Sequence, residues 1–161
     1  MRARALVALL LGACTSVVPP SEPPHDVSRL DASEAVLFRF VDAYNAGRLD
    51  DAMALVDDTI VGSDCDYRTI SAFSERGAAE FRGWLAARIA DRDRLLGATI
   101  ESSADALAVS FRERWSDTLR GLGYPNGIAP KLGAKVAVFD GRIRAFALGP
   151  LGGDQDLCRP S

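Results

Sequence analysis

The chain has 161 residues, with 19 basic and 22 acidic side chains and a formal net charge of −3. A mildly acidic balance gives no electrostatic basis for binding nucleic acid, so that class of partner is excluded. About half of the residues are apolar (48%), which is enough for one domain with a core of its own.

The first residues indicate an export signal. Arg2 and Arg4 provide positive charge, and residues 5–11 form a short apolar run that ends in small residues. This run is far shorter than the roughly 20 residues that a membrane-spanning helix needs. We therefore predict that residues 1–13 are a signal peptide, removed on export.

Cys14 follows that signal directly. The Leu-Gly-Ala-Cys motif at residues 11–14 resembles the lipobox of bacterial lipoproteins, in which the cysteine is acylated and becomes the mature N-terminus. The resemblance implies an exported protein, anchored to a bacterial membrane at its periplasmic or extracytoplasmic face by acyl chains on Cys14, palmitate among them. The alternative is an ordinary secretory signal beside an incidental cysteine.

Residues 14–32 are predicted to be a proline-rich tether with little that could pack. The only histidine, His25, lies in this segment. On that basis no histidine is expected in the folded part, which excludes a His general base, a His-based triad and a His metal site there.

Two cysteines remain once Cys14 is set aside. Cys65 and Cys158 are predicted to form a disulfide, because an exported chain meets an oxidising compartment and the two make an even pair. The bond would hold the tail, residues 150–161, against the domain. The alternative is two free thiols.

Three helices are predicted from apolar spacing. The first carries an apolar face from Val36 to Tyr44, with Asp31 or Ser33 as its cap. A short second helix follows, for which Asp50, directly after Leu49, is a possible cap. The third is expected to begin at a Ser74 cap and to run to about residue 94. Its predicted buried stripe consists of Phe81, Trp84, Leu85, Arg88 and Ile89.

Strands are predicted at residues 60–67, 96–102 and 105–119, and at a final hairpin. In residues 105–119 alternation places Leu107, Val109, Phe111, Glu113 and Trp115 on the inward face. The hairpin joins residues 132–139 to 142–148 through Asp140-Gly141, a pair typical of a type I′ turn. The predicted register pairs Phe139 with Arg142 and Val136 with Ala145.

This α+β order resembles the nuclear-transport-factor-2-like (SnoaL-like) superfamily. The resemblance rests on the aromatic helix, glycine turn and short helix of residues 36–56, and on the hairpin at 136–144. It covers residues 33–149 and implies a cone-shaped, curved antiparallel sheet wrapped around a long helix, with two further N-terminal helices. The family includes ketosteroid isomerases, polyketide cyclases, dehydratases and non-catalytic binding domains, so the fold alone leaves the function open.

Such a cone encloses an apolar pocket. The residues predicted to line it are Tyr44, Trp84, Phe111, Glu113 and Trp115. No catalytic residue is assigned; Glu113 is the first candidate for a general base, with an aspartate as the alternative, because an inward carboxylate would have its pKa raised by burial. The alternatives are that the strand bends there or that an arginine such as Arg88 pairs with Glu113.

The outer sheet face is predicted to be basic and aromatic, and to form a homodimer or a protein interface. Its members are Arg112, Arg114, Lys135, Phe139, Arg142, Arg144 and Phe146. A solvated face is the alternative. Asp64 and Asp66 could hold a cation, but a solvated strand edge is preferred, and no metal or cofactor is predicted.

Two functions follow from these features. The first is a membrane-tethered, non-catalytic domain that binds a small apolar ligand or a protein partner. The second is an isomerase, dehydratase or cyclase with a pocket carboxylate as general base.

Overall fold

The computed structural model describes residues 18–66, 71–102, 106–123 and 132–150. The helices are α1 (Ala32–Asn45), α2 (Leu49–Met53), α3 (Ala78–Ala90) and α4 (Asp117–Gly121). The strands are β1 (Val56–Asp66), β2 (Ser71–Arg76), β3 (Arg94–Ser102), β4 (Leu107–Trp115), β5 (Leu132–Phe139) and β6 (Arg142–Pro150). None of the helices among these residues is both long enough and apolar enough to cross a membrane.

Helix α1 forms as the sequence predicts. Asp31 caps it by accepting the Glu34 N–H at 2.8 Å, and the Glu34 carboxylate accepts the Asp31 N–H at 3.2 Å. This reciprocal capping box satisfies two backbone donors that a helix start would otherwise leave free. The apolar face of α1 is buried against the sheet.

The starts of the other two predicted helices differ from expectation. Leu49 is the first residue of α2 rather than a residue before its cap, and Arg48 is the N-cap. Ser74 lies in strand β2, which the sequence analysis missed, so it does not cap α3. Helix α3 begins after Gly77, whose φ of +83° turns the chain out of β2, and it ends at Ala90, before the predicted 94.

One sheet of six strands, in the order β2-β1-β6-β5-β4-β3, curves around the helices. The α+β cone is confirmed, with one difference in detail. Strands β1 and β6 run parallel, so the sheet is mixed rather than wholly antiparallel. Three aromatic rings at the centre of the core join α1, α3 and β6: the centroid of Phe40 lies 5.3 Å from Phe146 and 6.4 Å from Phe81.

The hairpin turn forms as predicted, since Asp140 and Gly141 both have positive φ (+48° and +72°). The predicted register holds only for the two pairs nearest the turn, Phe139–Arg142 and Val138–Ile143. A β-bulge then pairs Ala137 with Ala145, and Val136 with Phe146 instead of Ala145. The extra residue reverses the alternation in β6, so Phe146 points into the core.

Strand β4 is shorter than predicted, because Ser116 caps α4 by accepting the Leu119 N–H at 3.1 Å. Its alternation also reverses within the strand. Phe111 and Arg114, three residues apart, are both buried, as are Leu95 and Leu96 on the paired strand β3. The reversal is centred on Gly97, which has a φ of +65°.

Part of the predicted tether packs on the domain. Glu22 and His25, both half-buried, contact β3 and α1 respectively. Cys14 and Cys158 lie outside the described residues, as does the side chain of Cys65, so the predicted disulfide stays a prediction. The signal peptide and the C-terminal tail lie outside the described residues as well.

Replacing Gly97 by alanine should destabilise the fold by about 1–3 kcal/mol, because a side chain there is strained at positive φ. An added Cβ would also lie 2.7 Å from the Arg112 Cβ. Gly83→Ala in helix α3 is the control, since nothing lies within 4 Å of its Cβ position, and it should stabilise by about 0.5–1 kcal/mol. Urea unfolding of both variants tests this; equal effects would contradict it.

Candidate ligand site inside the cone

The most unusual feature of the interior is a buried arginine. Arg114 in β4 is 2% exposed, and its guanidinium contacts two carboxylates. Nε and Nη2 donate to Asp93 Oδ2 at 3.0 and 2.8 Å, while Nη1 and Nη2 donate to Asp64 at 3.3 and 3.2 Å. The planar group with its fixed set of donors suits this arrangement, which a lysine could not reproduce.

A second arginine completes the cluster. Arg88 on α3 places Nη2 2.7 Å from Asp64 Oδ2, and its side chain is 14% exposed. Asp64 therefore bridges Arg88 and Arg114. Together with Asp93 these residues form a group of two cations and two anions, hereafter the charge cluster, which joins α3, β1 and β4 to the turn before β3.

The turn after α3 places Asp93 in the cluster. Its N–H bonds to the Arg88 carbonyl at 3.0 Å, and Arg92 just before it has a φ of +52°. Burial raises the pKa of Asp93, while Arg114 opposes that rise. Burial acts to lower the pKa of Arg114, but Asp93 and Asp64 outweigh it and hold that pKa above its ordinary value, so the arginine stays charged.

Two buried polar atoms, one on α1 and one on α3, lack partners within the described part of the chain. Tyr44 is 2% exposed and Trp84 is partly buried, and among the described residues neither Tyr44 Oη nor Trp84 Nε1 has a hydrogen-bond partner. Burial, followed by the charge of Asp93, raises the pKa of Tyr44 well above its ordinary value, so the hydroxyl stays neutral. An unpaired buried polar atom costs about 1–3 kcal/mol, so two of them call for an explanation.

Two aromatic rings pack beside Trp84. Its ring lies 5.1 Å from Phe81 and 6.1 Å from Phe146, between centroids. Tyr44 and Phe40 are one turn apart on α1, and Trp84 and Arg88 are one turn apart on α3. The two helices thus bring polar groups and an apolar wall to the same region.

The predicted pocket residues divide into two sets. Tyr44, Trp84 and Phe111 face the interior as predicted. Glu113 does not, because the reversal at Gly97 turns it outward: its side chain is 34% exposed and lies 3.6 Å from Arg112. Arg114 occupies the inward position instead, and Glu113 is withdrawn as a candidate catalytic group.

Trp115 is also outside the pocket. It is buried, but between two guanidinium groups: Arg92 and Arg120 lie 5.5 and 5.6 Å from the centre of its ring. This cation–π arrangement belongs to the junction of β4 and α4. Trp115 has a structural contact there rather than a place in the cone.

The predicted basic and aromatic outer face is smaller than expected, because Arg114 and Phe146 are buried. Arg142 donates to the Val56 carbonyl at 3.2 Å, and Arg144 bonds Asp57 at 3.2 Å. Exposed Phe139 has the Arg144 guanidinium 5.1 Å from its ring centre. Arg112 and Lys135 are exposed. A homodimer through this face stays a prediction.

Asp64 was expected at a solvated strand edge, and that expectation is wrong, since Asp64 is buried between two arginines. Asp93 was not among the predicted site residues, because a lone aspartate after a helix has no distinguishing pattern. In the described part of the chain, no three His, Cys, Asp or Glu residues are grouped so as to hold a metal ion. The side chain of Asp66 lies outside that part.

His25 is not confined to a free tether. Its Nδ1 lies 2.6 Å from Asp42 Oδ1, its backbone N–H donates to Asp42 Oδ2 at 3.0 Å, and the ring contacts Phe38. A cavity of about 190 Å³ adjoins this pair. The folded part therefore includes a histidine, contrary to expectation, although on the outer side of α1.

Replacing Arg114 by methionine should lower the free energy of unfolding by about 3–5 kcal/mol, because Asp93 would be left buried without its partner. Arg82→Met is the control. Arg82 pairs with the exposed Asp50, so its loss should cost no more than about 1 kcal/mol. Urea unfolding measures both, and a loss no larger for Arg114 than for Arg82 would contradict a central role for the cluster.

No family model matches the chain, and no curated protein sequence matches it. Solved structures do. An NTF2-like protein of unknown function from Cytophaga hutchinsonii has 8% identity and a TM-score of 0.55, over 73% of this chain and 88% of that one.

Two further solved structures are similar to this chain. A candidate polyketide cyclase from Xanthomonas campestris pv. campestris has 18% identity and a TM-score of 0.56, over 73% of this chain and 88% of that one. A de novo designed protein with a curved β-sheet has 12% identity and a TM-score of 0.55, over 80% and 92%. At such identities the likeness concerns the fold and not the activity. The chain has the nuclear-transport-factor-2-like fold.

Proposed function

We propose that the domain binds a small, mostly apolar molecule inside the cone, through an oxygen that accepts hydrogen bonds, and does not transform it. The observation that carries this proposal is the pair of unpartnered buried atoms, Tyr44 Oη and Trp84 Nε1. Each is a group that a ligand oxygen would satisfy.

The ligand's chemistry follows from these donors. An indole N–H can only donate, and the neutral Tyr44 hydroxyl can donate as well. A ketone, ester or hydroxyl oxygen can accept such bonds. The Phe81 and Phe146 rings beside Trp84 would contact the apolar body of the molecule.

The state of the carboxylates favours binding over catalysis. Asp64 contacts two arginines and Asp93 contacts one, so both carboxylates of the charge cluster are already engaged. A general base needs an electron pair that can reach the substrate. The charge cluster, whose two cations and two anions balance, therefore positions the residues around the ligand and does not act on it.

Tyr44→Phe tests the proposal, because it should affect binding and stability in opposite directions. The probe is 2-acetylnaphthalene, an apolar ring with one acceptor oxygen, and quenching of tryptophan fluorescence reports its binding. Loss of one hydrogen bond should weaken binding by about 1 kcal/mol, roughly fivefold. The ligand-free variant should be more stable by about 1 kcal/mol in urea, because an unpaired hydroxyl has been removed.

The matched control ligand is 2-ethylnaphthalene, which has no oxygen and should bind the two proteins equally. Equal binding of 2-acetylnaphthalene to both proteins would contradict the proposal, as would a less stable variant. Native mass spectrometry of protein purified from its source should also show a retained molecule of this class.

The second candidate is an enzyme of the isomerase, dehydratase or cyclase kind. It is favoured by the raised pKa of Asp93 and by neighbours such as the candidate polyketide cyclase. The same probe separates the two functions, since a general base would exchange its acetyl protons for deuterium in D2O. Exchange above the buffer rate that disappears in Asp93→Asn would establish catalysis and overturn the non-catalytic proposal.

We further propose that the chain is an exported lipoprotein acylated on Cys14. The lipobox-like residues 11–14 and the apolar run before them support this. Cells given an alkyne-labelled palmitate should yield a labelled protein that floats with membranes. Cys14→Ser should abolish both labelling and flotation, whereas Cys65→Ser should keep both. A labelled Cys14→Ser variant would contradict acylation at this residue.

A further inference from the structure

Residues 19–30, hereafter the strap, lie against the domain in a regular way. In its first half Pro19, Glu22 and His25 are half-buried, while the residues between them are exposed. A spacing of three matches the three residues per turn of a polyproline II helix. One side of the strap therefore faces the domain, which the prolines of this segment favour.

Glu22 makes the first specific contact. Its carboxylate oxygens accept the Gly97 N–H at 3.1 and 3.0 Å, and Oε1 also accepts from Arg112 Nη2 at 3.1 Å. Strand β3 is an edge of the sheet, where backbone donors need covering. The contact is charge-assisted and lies at the position where Gly97 reverses the alternation of the strand.

His25 makes the second contact, on helix α1. Both its backbone N–H and its ring Nδ1 contact the carboxylate of Asp42, at 3.0 and 2.6 Å. The ring packs against Phe38 with centroids 4.3 Å apart and the two planes tilted by 33°. The strap is thus attached at two points, to two different elements, by a polar pair at each.

The attachment changes how far the domain can extend from the membrane. This inference depends on the proposed acylation of Cys14. With the strap docked, four residues separate Cys14 from Pro19. They span at most about 15 Å. A released strap would add about 40 Å in polyproline geometry. The first described residue before it, Val18, is apolar and 80% exposed, as suits a position beside a lipid surface.

We propose that the docked strap holds the domain against the membrane surface, with the strap-bearing face of α1 and β3 towards the lipid. The interaction surface is this face and the partner is the bilayer itself. Release of Glu22 and His25 converts a short spacer into a long one.

The test uses the full acylated chain in vesicles of phosphatidylcholine and phosphatidylglycerol. Trp84 and Trp115 are the only two tryptophans, so they serve as energy donors to a dansyl-labelled lipid. The double variant Glu22→Ala/His25→Ala should show less energy transfer than the unaltered chain, because its domain can move away from the bilayer. Ser21→Ala, at an exposed strap position, is the control and should match the unaltered chain.

Amide exchange supplies a second measurement. Gly97 N–H should exchange at least about tenfold faster in the double variant, because it loses its acceptor. Equal energy transfer or equal Gly97 exchange in an acylated double variant would overturn the strap's role and leave the anchor intact. An unacylated chain, detected by its mass, would overturn the anchor itself.

Discussion

The arrangement of the interior of this domain depends on the pairing of one buried guanidinium group with two carboxylates. Arg114 is shielded from water on all sides, and an unpaired cation there would be incompatible with a folded state. Asp64 and Asp93 come from distant parts of the chain, and the arginine can contact both only if β1, β4 and the turn before β3 are correctly placed. The two aspartates thus fix the relative positions of these elements, which apolar packing alone would define less well.

That geometry gives specificity more than stability. Desolvation of four charges opposes folding, and replacing all members of such a cluster together by well-packed apolar side chains is often neutral for stability, whereas removing one member leaves a buried charge unpaired. Such a cluster is therefore better understood as a framework that positions neighbouring groups. Tyr44 and Trp84 carry two unpaired polar atoms within an otherwise aromatic part of the core.

How far the sequence could predict this structure depended on whether the relevant signal was local. The cap of α1 and the Asp140-Gly141 turn involve neighbouring residues: Asp31 was one of the two predicted caps, and the turn was predicted correctly. The reversal at Gly97 and the bulge in β6 were not, because strict alternation assumes an unbroken pleat. The reversal at Gly97 exchanged Glu113 for Arg114, and the bulge brought Phe146 inward.

The missed contacts of Asp93 and His25 have a similar cause. Each pairs with a residue 17 or more positions away, so nothing in its local sequence marks it. The prolines around His25 predicted a free spacer, because the composition of a segment indicates how stiff it is but not whether it packs on a domain surface. The half-burial of every third strap residue depends on contact with the domain surface, so the sequence alone does not show it.

The parallel pairing of β1 with β6 has a consequence for folding kinetics. Val56 pairs with Ile143, so strands near the two ends of the domain must meet before the sheet is complete. Pairings so distant along the chain slow folding, because a long loop must close before any contact compensates for its entropy. A ribosome must therefore have made almost the whole chain before the cone can close.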